Sequence, residues 1–176
     1  ESAPGRPSHI NQDIEVCRAV RDAVGDDMVL TFDPWGTYCT YEEALKVGRA
    51  LEELNFYWYE HPMPEYRVGA YEKLTRELDI PILSPEVASG SLYTRADWIH
   101  RGASDMSRID VLRGGITGVK KMASVCEAYG VKCEIHMAGF ANLQMLAATS
   151  EDTCEYYERG LLAPGVDYDT PLPYLE

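Results

Sequence analysis

Short apolar runs alternate along the chain with longer stretches in which apolar residues recur every three to four positions. Asp13 to Val24 places Ile14, Cys17, Val20 and Val24 on one helical stripe, and Gly25 follows as a stop. Met28 to Phe32 is a continuous apolar run of strand length. Thr40, with Glu43 three residues on, is a capping box that opens a helix through Leu54. Phe56 to Tyr59 reads as the next strand and Gly69 to Leu78 as the next helix. The alternation continues with a strand at Ile80 to Leu83, a helix at Leu92 to Arg101 and a strand at Met106 to Ile109. A helix from Thr117 to Tyr129, stopped by Gly130, precedes a strand at Val131 to Ile135. A helix at Asn142 to Ala148 and a last strand at Thr153 to Tyr157 complete the pattern.

Strand-then-helix order predicts an α/β fold with a parallel sheet. A doubly wound sheet and a (β/α)₈ barrel both satisfy that order. The residues just beyond the strands say more. Asp33, Glu60, Glu86, Asp110, His136 and Glu158 stand there in succession, 22 to 27 residues apart, about one β/α unit each time. In a parallel barrel the C-terminal ends of all strands open onto one face, where active sites sit, so these six side chains would converge. The body of the fold is expected over residues 13–160, with 1–12 a loop or cut remnant and 161–176 a tail.

The formal net charge of −13 disfavours nucleic acid and anionic membrane surfaces as partners. The sequence contains no apolar run long enough to span a bilayer. The opening ESAPGRPSHINQ has neither a starting Met nor the build of a signal peptide, and it reads as a cut end. Five scattered cysteines without a C-x-x-C pair match reduced thiols in a cytoplasmic protein rather than a disulfide framework.

Asp33, Glu60 and Glu86 offer hard anionic oxygen, which suits Mg²⁺ with its remaining positions left to water and substrate. Zinc would favour histidine or thiolate, and no histidine ends these three strands. Taken singly, each acid also reads as a salt-bridged rim carboxylate. As a set they would repel one another unless a cation neutralised them. Asp110 and His136 end the next two strands. A carboxylate beside an imidazole fixes its tautomer and raises its basicity, which makes a general base for neutral pH. His9, His61 and His100 end no strand in this scheme and take the ordinary structural reading.

The stretches FDPWG, WYEHPMPE, PILSPEVASG and RIDVLRGGITGVKKMASVCEAYGVKCEIHM resemble the mandelate racemase branch of the enolase superfamily, from about Asp13 to Glu158. The resemblance implies the last six β/α units of a (β/α)₈ barrel. It implies Asp33, Glu60 and Glu86 as Mg²⁺ ligands, His136 as the acid or base, and Asp110 as its partner. It implies a glutamate on the last strand that hydrogen-bonds the enolate, assigned to Glu158 with Glu155 as the alternative. Three departures stand out. The α+β capping domain of such proteins and their first two barrel strands have no counterpart here. The lysine motif of the second strand is absent with them, although His9 lies in the neighbouring loop region. Trp35 replaces an asparagine found near the first ligand in many relatives.

The reaction implied by the resemblance is abstraction of the proton α to a carboxylate, followed by loss of a β-hydroxyl from an acid sugar. Racemisation or epimerisation of a 2-hydroxy or sugar acid is the alternative, in each case on a small carboxylate substrate in a homo-oligomer. A second class of reading is a truncated piece without activity of its own. A third is a phosphate-binding domain built on Gly114 and Gly115, but GGITG matches neither a P-loop nor the dinucleotide fingerprint.

Overall fold

The computed structural model describes residues 9–88, 91–136 and 139–158. Its elements are α1 (Ile10–Val24), α2 (Tyr41–Glu53), β1 (Tyr59–Glu60), α3 (Val68–Glu77), β2 (Ile82–Leu83), α4 (Leu92–Arg101), β3 (Met106–Ile109), α5 (Val111–Tyr129), β4 (Lys132–Ile135) and α6 (Phe140–Ala147). The four strands are parallel and lie in the order β1-β2-β3-β4. Phe32 bridges to Tyr59 outside β1, and Tyr157 bridges to Ile135 outside β4.

Sequential order is what a barrel requires, whereas a doubly wound sheet reverses at a switch point. Curvature settles the choice. The rings of Trp58 and Tyr156 lie 5.6 Å apart, and the Tyr57 hydroxyl reaches Glu155 at 2.5 Å. Four strand spacings separate these segments, roughly 19 Å on a flat sheet. The sheet therefore curls until its first and last segments meet across its inner face.

Several boundaries differ from the sequence reading, each for a local reason. α1 starts at Ile10, ahead of Asp13, and its stripe is only partly buried: Cys17 is covered while Val20 and Val24 are exposed. Arg21 is buried in their place because its guanidinium bonds the carbonyls of Leu54, Gly25, Met28 and Asn55. Of the strand expected at Met28 to Phe32, the part from Leu30 to Phe32 bonds the β1 segment. The Leu30 carbonyl accepts from the Tyr57 N–H at 2.7 Å and the Phe32 carbonyl from the Glu60 N–H at 2.8 Å, while the Met28 carbonyl goes to Arg21. Phe56 is not in the strand expected over Phe56 to Tyr59, because its N–H closes α2 onto the Leu51 carbonyl. The Thr40–Glu43 capping box is formed in both directions.

A turn from Val111 precedes the helix expected from Thr117, and α5 takes in both. Asp110 caps it, accepting from the Leu112 N–H at 2.9 Å, and Gly115 (φ 64, ψ 167) interrupts the helix. The last expected strand, Thr153 to Tyr157, reduces to the Tyr157 bridge. The buried Glu134 carboxylate takes the Glu155 and Tyr156 N–H groups at 3.2 and 2.9 Å in place of ladder bonds.

Two apolar clusters lie between helices and sheet. One joins α1, α2 and α3 to β1 and β2 through Tyr59, Leu51, Tyr71 and Ile82; the other joins α5 and α6 to β3 and β4 through Met122, Ile109 and Ile135. Trp58, Leu83 and Met106 form a third. All five cysteines are free, four of them buried. Among the described residues no helix is long and apolar enough to cross a membrane.

Candidate active site

Strand ends β1 to β4 and the two flanking bridges deliver their polar residues to one rim. Asp33 follows the Phe32 bridge, Glu60 closes β1, Asp110 follows β3 and His136 follows β4. Glu86 lies three residues beyond β2, in a loop. Oxygens of Asp33 and Glu86 and a ring nitrogen of His61 lie within 4.8 Å of one another, a spacing that could hold a metal ion. The Trp35 backbone N–H donates to Asp33 at 2.7 Å, so this tryptophan supports the first acid through its main chain.

Glu60 is turned aside from that group. Arg108 Nε lies 2.7 Å from its Oε1 with the N–H poorly aligned, and Arg108 Nη2 lies 2.8 Å from Glu158. Arg108 shares strand parity with Asp110, so both face the inner side. Asp33, Glu60, Arg108 and Glu158 line one cavity of about 340 Å³. Glu155 sits instead at the other end of the strands, paired with Lys132 at 2.6 Å. Glu158 is thus the glutamate that reaches the rim.

His136 Nδ1 lies 3.2 Å from Asp110 Oδ2, and its Nε2 lies 3.0 Å from Glu86 Oε1. Asp110 also accepts from Asn142 Nδ2 at 3.2 Å, and the same amide bonds the His136 carbonyl at 3.0 Å. Asn142, on α6, therefore ties the two members of the dyad together.

His61 overturns the expectation that histidine is missing from this group. Strand alternation would turn it away from Glu60's side, but its φ of 40° redirects the ring to the rim. The signal was its position directly after Glu60. Arg108 was also missed, and its place two residues before Asp110 could have revealed it. His9 and His100 are exposed, in keeping with their ordinary reading. Gly114 commits its N–H to the Asp110 carbonyl at 2.9 Å rather than leaving it for phosphate.

Asp33 is exposed at the edge of the cavity, and the protein packed around its carboxyl, with Glu86 close by, pushes it up to about 6. Burial also raises Glu60 against the pull of Arg108. Burial alone would raise Glu86, but hydrogen bonds with His136 and His61 overcome it and hold this carboxyl below the usual range. Burial would lower His136, yet Glu86 and Asp110 raise it overall. Glu60 and Glu86 are buried and Asp33 beside them is exposed; acids crowded to this degree suit a divalent cation, which would relieve their repulsion.

Residues 3–172 match the protein family described as enolase C-terminal domain-like. The structure resembles D-glucarate dehydratase from Agrobacterium tumefaciens, solved with magnesium, at a TM-score of 0.89 and 42% identity, covering 96% of this chain and 43% of that one. The sequence is 30% identical to arabinonate dehydratase of Saccharolobus solfataricus, over 85% of this chain and 41% of the relative. It is 26% identical to N-succinyl-L-Arg/Lys racemase of Bacillus cereus, over 73% of this chain and 35% of the relative. The chain thus spans less than half the length of each of these proteins.

Proposed function

The chain belongs to the enolase C-terminal domain-like family, and we propose on that premise that it carries the metal-binding and proton-transfer residues of an enzyme that removes the proton α to a carboxylate. The observation that carries this reading is the place of His136, between Asp110 and the rim carboxylate Glu86. Such a proton is weakly acidic, so the charge that develops on its removal needs electrostatic stabilisation. Mg²⁺, when held by Asp33, Glu60 and Glu86, would supply Lewis-acid stabilisation at the substrate carboxylate. The donor set supports this: Asp33 and Glu86 offer oxygens within 4.8 Å of each other, and Glu60, now beside Arg108, lines the same cavity as Asp33 and would turn to the ion.

His136 exchanges the proton at Nε2, because Nδ1 is directed to Asp110; facing the Glu86 carboxylate at 3.0 Å, Nε2 here carries a proton that it gives up before acting as the base. Asp110, fixed by Leu112 and Asn142, holds the imidazole in that tautomer and stabilises the imidazolium that forms. Glu158, held by Arg108 and lining the same cavity, would contact the substrate oxygen where charge develops. The imidazolium then gives its proton to the β-hydroxyl, which leaves as water, and the enol that remains takes up a proton at C3 to become a 2-keto-3-deoxy acid. Two dehydratases among the similar proteins support this outcome over others. Racemisation is the second reading, supported by the similar racemase; there the proton returns to carbon.

The test is to incubate the protein with Mg²⁺ and a panel of acid sugars in deuterated water and follow each by proton NMR. Loss of the α-proton signal with appearance of a 2-keto-3-deoxy acid is expected. Exchange with an epimer and no dehydration would favour the second reading. An intact protein that exchanges no α-proton on any acid would sink both.

A further inference from the structure

We propose that His61 and Glu65, within the stretch EHPMPE, position Glu86 for the cation; this rests on the metal reading above. Glu86 is not held by the sheet, because it lies beyond β2 in a loop. Two groups hold it instead. The buried Glu65 carboxylate accepts the backbone N–H groups of Glu86 and of Ala88, one on each oxygen. His61 Nδ1 lies 2.8 Å from Glu86 Oε2. A carboxylate only accepts, so Nδ1 carries the proton and donates. His61 Nε2 lies 3.8 Å from Glu65 Oε1, so the three side chains form a row from loop anchor to rim carboxylate.

The fold makes specific provision for this imidazole. His61 holds φ at 40°, a conformation that a non-glycine residue keeps only when its surroundings enforce it. Its carbonyl accepts from the Gly36 N–H at 2.6 Å, and its N–H donates to the Leu83 carbonyl at 3.1 Å. At Gly36 a β-carbon would stand 2.8 Å from His61 Nε2, so the ring occupies space that only glycine leaves free. His61, Glu65 and Glu86 are all nearly excluded from solvent, at 4%, 5% and 3% exposure, so no water shell competes for these bonds. With His61 on Oε2, the other oxygen of Glu86 is the one that faces His136. His61 thus fixes which oxygen Glu86 presents to the rim.

Mn²⁺ is the probe, with binding followed by electron paramagnetic resonance and folding checked by thermal melting without metal. His61→Gly removes the ring and accepts the positive φ. His61→Asn also tolerates that conformation and puts an amide donor near the place of Nδ1. His61→Gly should bind Mn²⁺ ~10- to 100-fold more weakly than wild type, as loss of a partner behind a metal ligand does. His61→Asn should recover most of that loss. Should His61→Gly fail to fold, His61→Gln, whose amide reaches towards the place of Nε2, serves in the same comparison with Asn. Equal affinity in wild type and His61→Gly, or an Asn variant no better than its comparator, would overturn the positioning role. Nitrogen coupling to Mn²⁺ that vanishes in His61→Gly would make His61 a direct ligand and overturn it too. A wild-type protein that binds no Mn²⁺ would bring down the metal reading itself, and this inference with it.

Discussion

His136 turns Nδ1 towards Asp110 Oδ2 at 3.2 Å, across two neighbouring parallel strands, and leaves Nε2 on the carboxylate rim. If that nitrogen is the base, His136→Asn should lower α-proton exchange by ~10²- to 10⁴-fold, the usual contribution of a positioned general base. Mn²⁺ affinity should change little, because His136 faces the Glu86 oxygen that a bound cation would take over, whereas His61 holds the opposite oxygen. Asp110→Asn should also slow exchange, through loss of the tautomer. Exchange measured in deuterated water decides the matter, and a rate near wild type in His136→Asn would remove it from the role.

Asp33 predicts how metal binding responds to pH. Its carboxyl is raised from 3.8 to about 6, so protons compete with a cation for it below that value. The folded, metal-free protein holds this proton more tightly than the unfolded chain. The associated stability is present below the unfolded value and is lost as pH rises through about 6. Mg²⁺ acts in the opposite sense, since it binds the deprotonated form. The difference in melting temperature with Mg²⁺ and with a chelator should therefore widen as pH rises through that window. A difference that stays constant would contradict the assignment of Asp33 as a ligand.

Arg108 is the cation that the fold already places in the cavity, between Glu60 at 2.7 Å and Glu158 at 2.8 Å. Arg108→Met would leave Glu60 buried without its partner, which costs about 3–5 kcal/mol when a buried pair is broken on one side. Added Mg²⁺ should recover part of this by neutralising Glu60. Denaturant unfolding with and without Mg²⁺ measures both quantities. A loss below about 1 kcal/mol, the level of a surface pair, would show that the pair is solvated.

Gly36→Ala should weaken Mn²⁺ binding although Gly36 offers no ligand. The added β-carbon would meet His61 Nε2 at 2.8 Å, and the φ of +69° adds about 1–2 kcal/mol of backbone cost. Gly25→Ala is the control: its φ is +77°, and nothing lies within 4 Å of the new carbon. It should lose stability without losing metal affinity. Equal metal affinity in both variants would separate Gly36 from the site.

The six rim residues were legible because a β/α unit repeats at a nearly constant length and strand ends share one face. That regularity located Asp33, Glu60, Glu86, Asp110, His136 and Glu158 without coordinates. It failed where a residue leaves the repeat. His61 departs from strand alternation through a positive φ, which no apolar pattern records. The outer strands are shorter than their apolar runs because such runs do not reveal side chains that claim backbone groups at their ends. Arg21 takes the Met28 carbonyl, and Glu134 takes the Glu155 and Tyr156 amides.

By itself the sequence determined the α/β alternation, the parallel order, the family resemblance and the succession of polar strand ends. Each of these depends on local spacing or on chain order, which the sequence carries directly. Tertiary structure alone decided that Trp58 meets Tyr156 across the curled sheet, that Arg108 holds Glu60, and that His61 stands behind Glu86. These pairs lie between 25 and 98 residues apart in the chain, and they exist only because curvature and buried charge bring distant strand ends together. Charge placement at the rim follows from surroundings that only the fold supplies: burial raises Glu60, and two imidazoles hold Glu86 ionised.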